Sequence, residues 1–473
     1  MGSSAHELAE ATPASRDKYI DLLRVASLGT VVLGHWLMAA VTVGDDGRAE
    51  VGNLLAVEPG LQLLTWVLQI MPVFFFVGGF SHALSYRSLR RRSEGSPVYS
   101  VFLRARLQRL LRPTVVFIGV WGAGALALQL AGEGGGLLDV SLRLVAQPLW
   151  FIGIYLAMVA FTPPLLRLHE RYGWGAFGGL VAAAASVDVL RFAFGVPYVE
   201  FLNFAFVWLA VHQLGFLRAD GRLGRPYVLA GAGLAGAALL VAYGPYPLSM
   251  VGMPGEKISN MAPPTFALLC HGLWLVGAVE LLREPAGRWL RRPRVWRTVV
   301  AANGVSMTAF LWHLTAMLGV YGVLLAAGAR LPEPATGGWW AQVPLRIAAA
   351  MVVTGVLVAV FRRFERPSAR GKVKVSPEVS TEVSPEVSPD VSSGGAGPAA
   401  AGPVAAAGVA LCLFGVLGLS MVGFGGLLEG RTAMLIAVRV TAPVAVAMTL
   451  VGWLLVERAG RGRPALHKYA TQV

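Results

Sequence analysis

Charge is scarce in this chain. Asp, Glu, Lys and Arg make up 14% of its 473 residues, hydrophobic residues make up 55%, and mean hydropathy is +0.62. A soluble domain has about a quarter of its residues charged, so a soluble fold is excluded and an integral membrane protein is expected. Cysteine is nearly absent: Cys270 and Cys412 both fall in apolar stretches, where packing rather than a disulfide framework is their expected role. Lysine is rare too, with five among the 40 cationic residues, the rest being Arg, so the charge is permanent. The net charge of +14 does not point to nucleic acid, because the cations sit in short patches between apolar runs and form no soluble basic face. Low Lys with abundant Ala, Gly and Arg suggests a GC-rich bacterial genome, and with it a plasma-membrane location. Met1 to Asp17 has no short apolar core and no small-residue cleavage site, so no removable signal peptide is expected and the first span serves for insertion.

What the chain does have is long apolar runs, near 20–42, 61–86, 113–131, 147–166, 174–195, 199–217, 227–243, 262–282, 298–326 and 343–363. Most are long enough for a bilayer core of ~30 Å. The loops after the even-numbered spans carry the arginines, as from Arg87 to Arg112 and from Arg283 to Arg297, and the other loops are nearly bare. The positive-inside rule then places the amino terminus and the Arg-rich loops in the cytoplasm. Residues 375–390 read VSPEVSTEVSPEVSPD, a repeat too polar to pack. Beyond it, 404–427 and 432–456 form an apolar hairpin around Glu429 and Arg431, followed by basic Arg458, Arg461 and Arg463. The expected organisation is all-α and polytopic: a cytoplasmic tail 1–17, a ten-helix core 18–367, a disordered linker 368–403, a transmembrane hairpin 404–456 and a basic cytoplasmic tail 457–473. With Arg439 as its only membrane-embedded ionisable residue, the hairpin is expected to be an anchor or a partner-helix module rather than a second catalytic unit.

The first span, YIDLLRVASLGTVVLGHWLMAAV, holds Arg24 and His35 eleven positions apart. That spacing puts both side chains on one helix face, roughly 16 Å apart along the axis. Ionisable residues inside a span are functional-site candidates by default. The Asp21-x-x-Arg24 and Arg24-x10-His35 pattern resembles the integral membrane acyltransferase 3 family. Four further segments agree in order: MPVFFFVGGF (Met71 to Phe80), with Gly78 where a serine is usual; FLRARLQRLLRP (Phe102 to Pro113), a basic run before a proline-started helix; PLWFIGIYL (Pro148 to Leu156); and NGVSMTAFLWHL (Asn303 to Leu314), with its Ser306-x6-His313 spacing. Glu365-Arg366-Pro367 is similar to the usual ending of the last core helix. The likeness spans about 16–367, and the hairpin lies outside it.

The resemblance implies transfer of an acyl group, commonly acetyl from acetyl-CoA, to hydroxyls of glycans or secondary metabolites. Such chemistry needs a base, and imidazole suits neutral pH, which makes His35 the expected base or transient acyl carrier. Acyl-CoA is a phosphate-rich anion, and guanidinium groups bind phosphate bidentately, so Arg24 is expected to hold the donor. Asp21 either orients Arg24 or forms a plain helix-surface ion pair. His313 lies about fifteen residues into its span, as His35 does in the first, and is expected to bind acceptor or thioester carbonyl or simply to pack. Ser306 and Trp150 join the expected substrate-binding set; Trp150 and Tyr155 either stack on a sugar or belong to the interface aromatics. Arg104, Arg106 and Arg109 either contact CoA phosphates or serve as a topology signal. His82, His212 and His271 are expected to make interhelical hydrogen bonds, and Asp188 with Arg191 a self-neutralising pair or an acceptor contact. No metal and no resident cofactor is expected; acyl-CoA, a hydroxylated acceptor and the bilayer are the expected partners, nucleic acid is not, and the sequence marks no particular oligomeric state. A transporter using intramembrane His and Arg is the alternative, although no repeat is visible between the halves.

Overall fold

The protein is described by a computed structural model over residues 5–13, 16–43, 49–92, 98–132, 136–253, 255–365, 398–428, 430–436 and 438–459. Among these the apolar runs fold as twelve long helices: α1 Lys18–Met38, α2 Met71–Arg92, α3 Val98–Leu130, α4 Pro148–Tyr172, α5 Trp174–Phe192, α6 Asn203–Ala219, α7 Pro226–Tyr243, α8 Phe266–Leu281, α9 Ser306–Ala326, α10 Gly337–Phe361, α11 Pro398–Val422 and α12 Ala442–Ala459. Eleven helical stretches are long and apolar enough to cross a bilayer; α8 joins them when taken with the short helix Arg283–Leu290, bent 49° from it. The chain is an all-α polytopic membrane protein. Two small antiparallel hairpins, β1 Ala39–Val43 with β2 Ala49–Asn53 and β3 Thr432–Leu435 with β4 Val438–Thr441, are the strands among the described residues. Residues 368–397 of the expected linker 368–403, the end of the core at Arg366 and Pro367, Glu429, and the basic tail with Arg461 and Arg463 lie outside the described residues.

Several boundaries differ from those read in the sequence. Residues 398–403, expected in the linker, open α11, and Thr432–Leu435 with Val438–Thr441, expected in the second hairpin helix, pair as β3 and β4 before α12 starts at Ala442. Four further differences have a local reason. The first span stops at Met38 rather than 42, because Val41, Thr42 and Val43 are a β-branched run that pairs with 49–53 as β1 and β2. The second breaks at Gln69–Ile70: Pro72 has no N–H to continue a helix, and α2 starts afresh at Met71. In the third, Pro113 starts no helix; α3 runs on from Val98 through the basic segment, and the Thr114 hydroxyl donates to Leu110 O at 2.7 Å one turn back. The run near 298–326 divides at Gly304–Val305 into a short helix, Pro293–Asn303, and α9. The Glu365 carboxylate closes that break by accepting from the Met307 and Thr308 N–H groups at 3.1 and 3.0 Å, a negative charge on a helix N-terminus.

Packing around α1 builds the centre. Asp17 caps α1 by accepting from Tyr19 N and Ile20 N. Asn303, just before α9, lies 3.5 Å from Asp21, and His313 meets His35 farther along, so α9 runs parallel to α1. The end at which α1 begins is called proximal here, the other distal. Helices α2 and α6 touch backbone to backbone at Gly79 and Gly215: a Cβ on Gly79 would stand 1.9 Å from His212 O, and one on Gly215 2.2 Å from Phe76 O. Small residues permit such approach between membrane helices, and here it joins His82 to His212.

The terminal hairpin packs into the core. Leu417 of α11 lies over Gly153 of α4, and Glu457 of α12 accepts from Gln108 Nε2 of α3 at 2.8 Å and pairs with Arg104 Nε at 3.5 Å. Between the two helices, buried Phe424 packs on Phe117 and Trp121 of α3, and Arg431 pairs with Asp139 at 2.8 Å.

Candidate active site

Two imidazoles from helices nearly three hundred residues apart meet at the centre. His35 Nδ1 lies 2.7 Å from His313 Nε2, with the rings 7° from parallel and centroids 5.0 Å apart. His313 is fully buried, and His35 is only partly so. His313 Nδ1 is bonded to the Phe310 carbonyl one turn earlier, and the Trp36 indole N–H donates to the His313 carbonyl at 3.0 Å. A carbonyl only accepts, so the proton of neutral His313 sits on Nδ1 and its Nε2 offers a lone pair. That lone pair accepts from His35 Nδ1–H. The remaining nitrogen, His35 Nε2, is then the free base of the pair. Phe310 in turn packs edge-on against Phe151 at 4.9 Å, which fixes the floor beneath His313.

Nearer the proximal end the basic groups gather. Arg24 Nη1 lies 3.3 Å from Asp21 Oδ1, and its Nη2 donates to Ser81 Oγ at 3.0 Å. Arg106 Nη2 donates to the Ser81 carbonyl at 3.4 Å. Ser81 of α2 therefore ties Arg24 of α1 to Arg106 of α3, and Arg109 stands close enough to repel both Arg24 and Arg16. Asp21 is buried and holds Arg16 more tightly than Arg24, with Arg16 Nε and Nη2 at 2.6 and 3.1 Å. One carboxylate thus serves two of the clustered guanidinium groups, leaving an excess of positive charge at the depth expected for donor phosphates.

The other expected site residues separate from these. Arg104 faces away from Arg24 and pairs with Glu457 of the hairpin, because it shares the α3 face of Gln108 rather than that of Arg106 and Arg109. Trp150 is half-buried with its edge on Phe151; Phe151 is the ring that reaches Phe310. The Ser306 hydroxyl donates to Asn303 O at 3.2 Å in the turn that starts α9, two turns before His313. His82 joins His212 at 3.1 Å and the Tyr155 hydroxyl at 3.0 Å, and His271 Nε2 donates to Trp66 O at 3.0 Å. These are the interhelical bonds expected. Asp188 binds Asn203 Nδ2, the Tyr246 hydroxyl and Phe266 N at 2.9, 2.9 and 2.7 Å. Arg191 lies over the Phe192 ring and acts on Asp188 through its charge, with the hydrogen bonds of the carboxylate going to those three groups. Sequence reasoning passed over Ser81, the Phe310 carbonyl and Glu365; Phe310 and Glu365 stood in quoted motifs, Glu365 as the mark of a helix end, but neither with a role at the site.

A cavity of about 790 Å³ opens at the proximal end among Gly224, Glu280, Arg283, Arg288 and Arg291, and neither Arg24 nor His35 nor His313 lines it. Among the described residues no three His, Cys, Asp or Glu side chains converge to hold a metal ion. One family model, described as "Acyltransferase domain", matches residues 17–363. No curated protein and no solved structure matches the chain.

Proposed function

The chain belongs to the acyltransferase 3 family, and from that premise we propose that it moves an acyl group, acetyl in the simplest case, from acyl-CoA to a hydroxyl of a glycan, lipid-linked sugar or secondary metabolite. That it is a membrane acyltransferase follows from the family and the helices; donor, acceptor and roles are our reading. The observation that carries it is the 2.7 Å bond from His35 Nδ1 to His313 Nε2. With Nδ1–H committed there, His35 Nε2 takes the proton of the acceptor hydroxyl as its oxygen attacks the thioester carbonyl. The C–O bond forms, the C–S bond breaks, and the CoA sulfur leaves with the proton from the imidazolium. His313, fixed by the Phe310 carbonyl, orients His35 and supports the positive charge that develops on it, as an orienting acceptor does in other hydroxyl-activating sites.

The donor enters at the proximal end, which we assign to the cytoplasm on the arginine distribution, with both termini on that side. Arg24, Arg106 and Arg109 hold its phosphates, Asp21 keeps Arg24 in place, and the acyl thioester extends toward His35. Arg104 has no part in this cluster.

The test is CoA release from acetyl-CoA by detergent-purified protein, wild type against His35→Ala at matched folding. Loss of release by about 10²–10⁴-fold is expected for a removed general base. Equal release would take His35 out of the mechanism. No release from either, across several acyl-CoA donors and hydroxylated acceptors, would leave the field to a transporter.

A further inference from the structure

Among the described residues two arginines are buried, Arg218 and Arg346, each about 9% exposed. Arg346 of α10 sits in the distal half, and its hydrogen bonds go to neutral groups: Nη1 to the Tyr321 hydroxyl and Nη2 to the Trp339 carbonyl, both at 2.9 Å. The guanidinium lies against the Trp339 and Tyr321 rings at 4.9 and 5.7 Å. Two buried N–H groups here, Arg346 Nε and Trp339 Nε1, have no acceptor in the protein. Both residues line one narrow cavity, about 20 Å³, together with Trp36 and Tyr321. That volume admits one or two water-sized atoms, enough for the oxygens at the end of a ligand group.

An uncompensated guanidinium at this depth is costly, and both orphaned groups are donors only. Any acceptor would satisfy the two donors, but only one with negative charge would also balance the buried guanidinium. The position couples it to the His pair. The Tyr321 hydroxyl donates to Ala39 O at 3.2 Å, Ala39 N donates to His35 O, and Trp36 bonds to His313.

We propose that Arg346 and Trp339 Nε1–H bind a carboxylate or phosphate group of the acceptor, so that a hydroxyl of the same molecule meets His35 Nε2. The acceptor is thus an acidic hydroxylated compound, such as a uronic-acid sugar or a sugar phosphate. This rests on the acyltransferase reading for the identity of the ligand, whereas the anion site itself does not.

The experiment compares thermal unfolding midpoints of purified full-length wild type, Arg346→Gln, Trp339→Phe and His35→Ala. The additions are sodium glucuronate, glucose 6-phosphate, or glucose with equimolar sodium chloride. Glucuronate or glucose 6-phosphate is expected to raise the wild-type and His35→Ala midpoints by about 2–4 °C near saturation. Arg346→Gln should show no rise, and Trp339→Phe, which keeps the ring but loses the donor, a reduced one that holds the test open should Arg346→Gln misfold. An equal rise in Arg346→Gln, no rise in wild type with either acid, or the same rise with chloride and glucose would overturn the assignment. CoA release is followed in the same preparations. His35-dependent release without an acid-specific shift defeats this proposal alone; an Arg346-dependent shift without release in any preparation defeats the acyltransfer chemistry and leaves the anion site standing.

Discussion

Arg218 and Arg346 are equally buried and differently answered. Near the proximal end, Arg218 places Nε 3.0 Å from both oxygens of Glu280 and Nη2 2.9 Å from Asp17, with its guanidinium over Phe80. Arg346 meets a phenol, a carbonyl and two aromatic rings. The protein supplies the counter-charge for the first and none for the second. Around Arg218 the proximal end is laced with further pairs such as Arg90–Glu170 and His169–Asp220, whereas Arg346 has no acid among its hydrogen-bond partners, although Arg431 and Asp139 pair elsewhere on the distal side. One end spends its charges on the fold, and the other keeps one for a ligand.

The sharpest way to break that contrast is to remove each arginine. Arg218→Gln strands two carboxylates and is expected to cost about 3–5 kcal/mol of stability, read by denaturant unfolding in detergent; Arg346→Met, measured without acceptor, is expected to be neutral or to stabilise. Equal losses would show that both are fold residues. Next in size, His313→Gln should lower acyl transfer by about 10²-fold while moving unfolding by about 1 kcal/mol, which separates the chemistry of the centre from its packing. Within α3, Arg106→Gln is expected to raise the KM for acetyl-CoA about tenfold, and Glu457→Gln, whose carboxylate meets Arg104 and Gln108, to leave it unchanged while destabilising by about 1 kcal/mol. The smallest effect lies at Asp220. Burial pushes its carboxyl up, but hydrogen bonds from Arg87 and His169 outweigh that and hold it below the ordinary carboxylate range. Its contribution is present above the unfolded pKa of about 3.9 and fades as pH falls through the folded value. The difference in unfolding midpoint between wild type and Asp220→Asn should therefore shrink as pH is lowered from about 5 to about 3.

Apolar length and arginine placement made the membrane spans legible, because both follow directly from the bilayer as solvent. Breaks inside spans were less so. Gln69–Ile70 and Gly304–Val305 depend on what meets the helix ends, and the Glu365 carboxylate that caps α9 comes from the far side of α10. At the site, the shared face of Arg24 and His35 is a matter of helical phase and is written in their spacing. The His35–His313 contact is not, since phase tells which residues share a face but not which helix that face meets. Arg104, Arg106 and Arg109 show the same limit. Spacing alone puts Arg104 on a different face of α3 from Arg106 and Arg109, but only packing shows that one face looks toward Arg24 and the other toward Glu457. Arg346 was passed over because, in an apolar run, a single arginine carries no spacing to read.

The docking of α12 on α3 has a consequence for how the molecule is made. Gln108 and Glu457 are 349 positions apart in sequence. At about 5–20 residues per second, synthesis needs roughly 20–70 s to bring the second after the first. Throughout that interval the groove on α3 that receives Phe424 and α12 stands open in the membrane, without the Glu457 carboxylate that Gln108 and Arg104 meet in the finished fold. Packing of this face of α3 thus waits for α12, and a ribosome that stalls before it leaves a molecule in which the helices carrying Arg24, His35, Arg106 and His313 are all present while α3 lacks the helix that covers it.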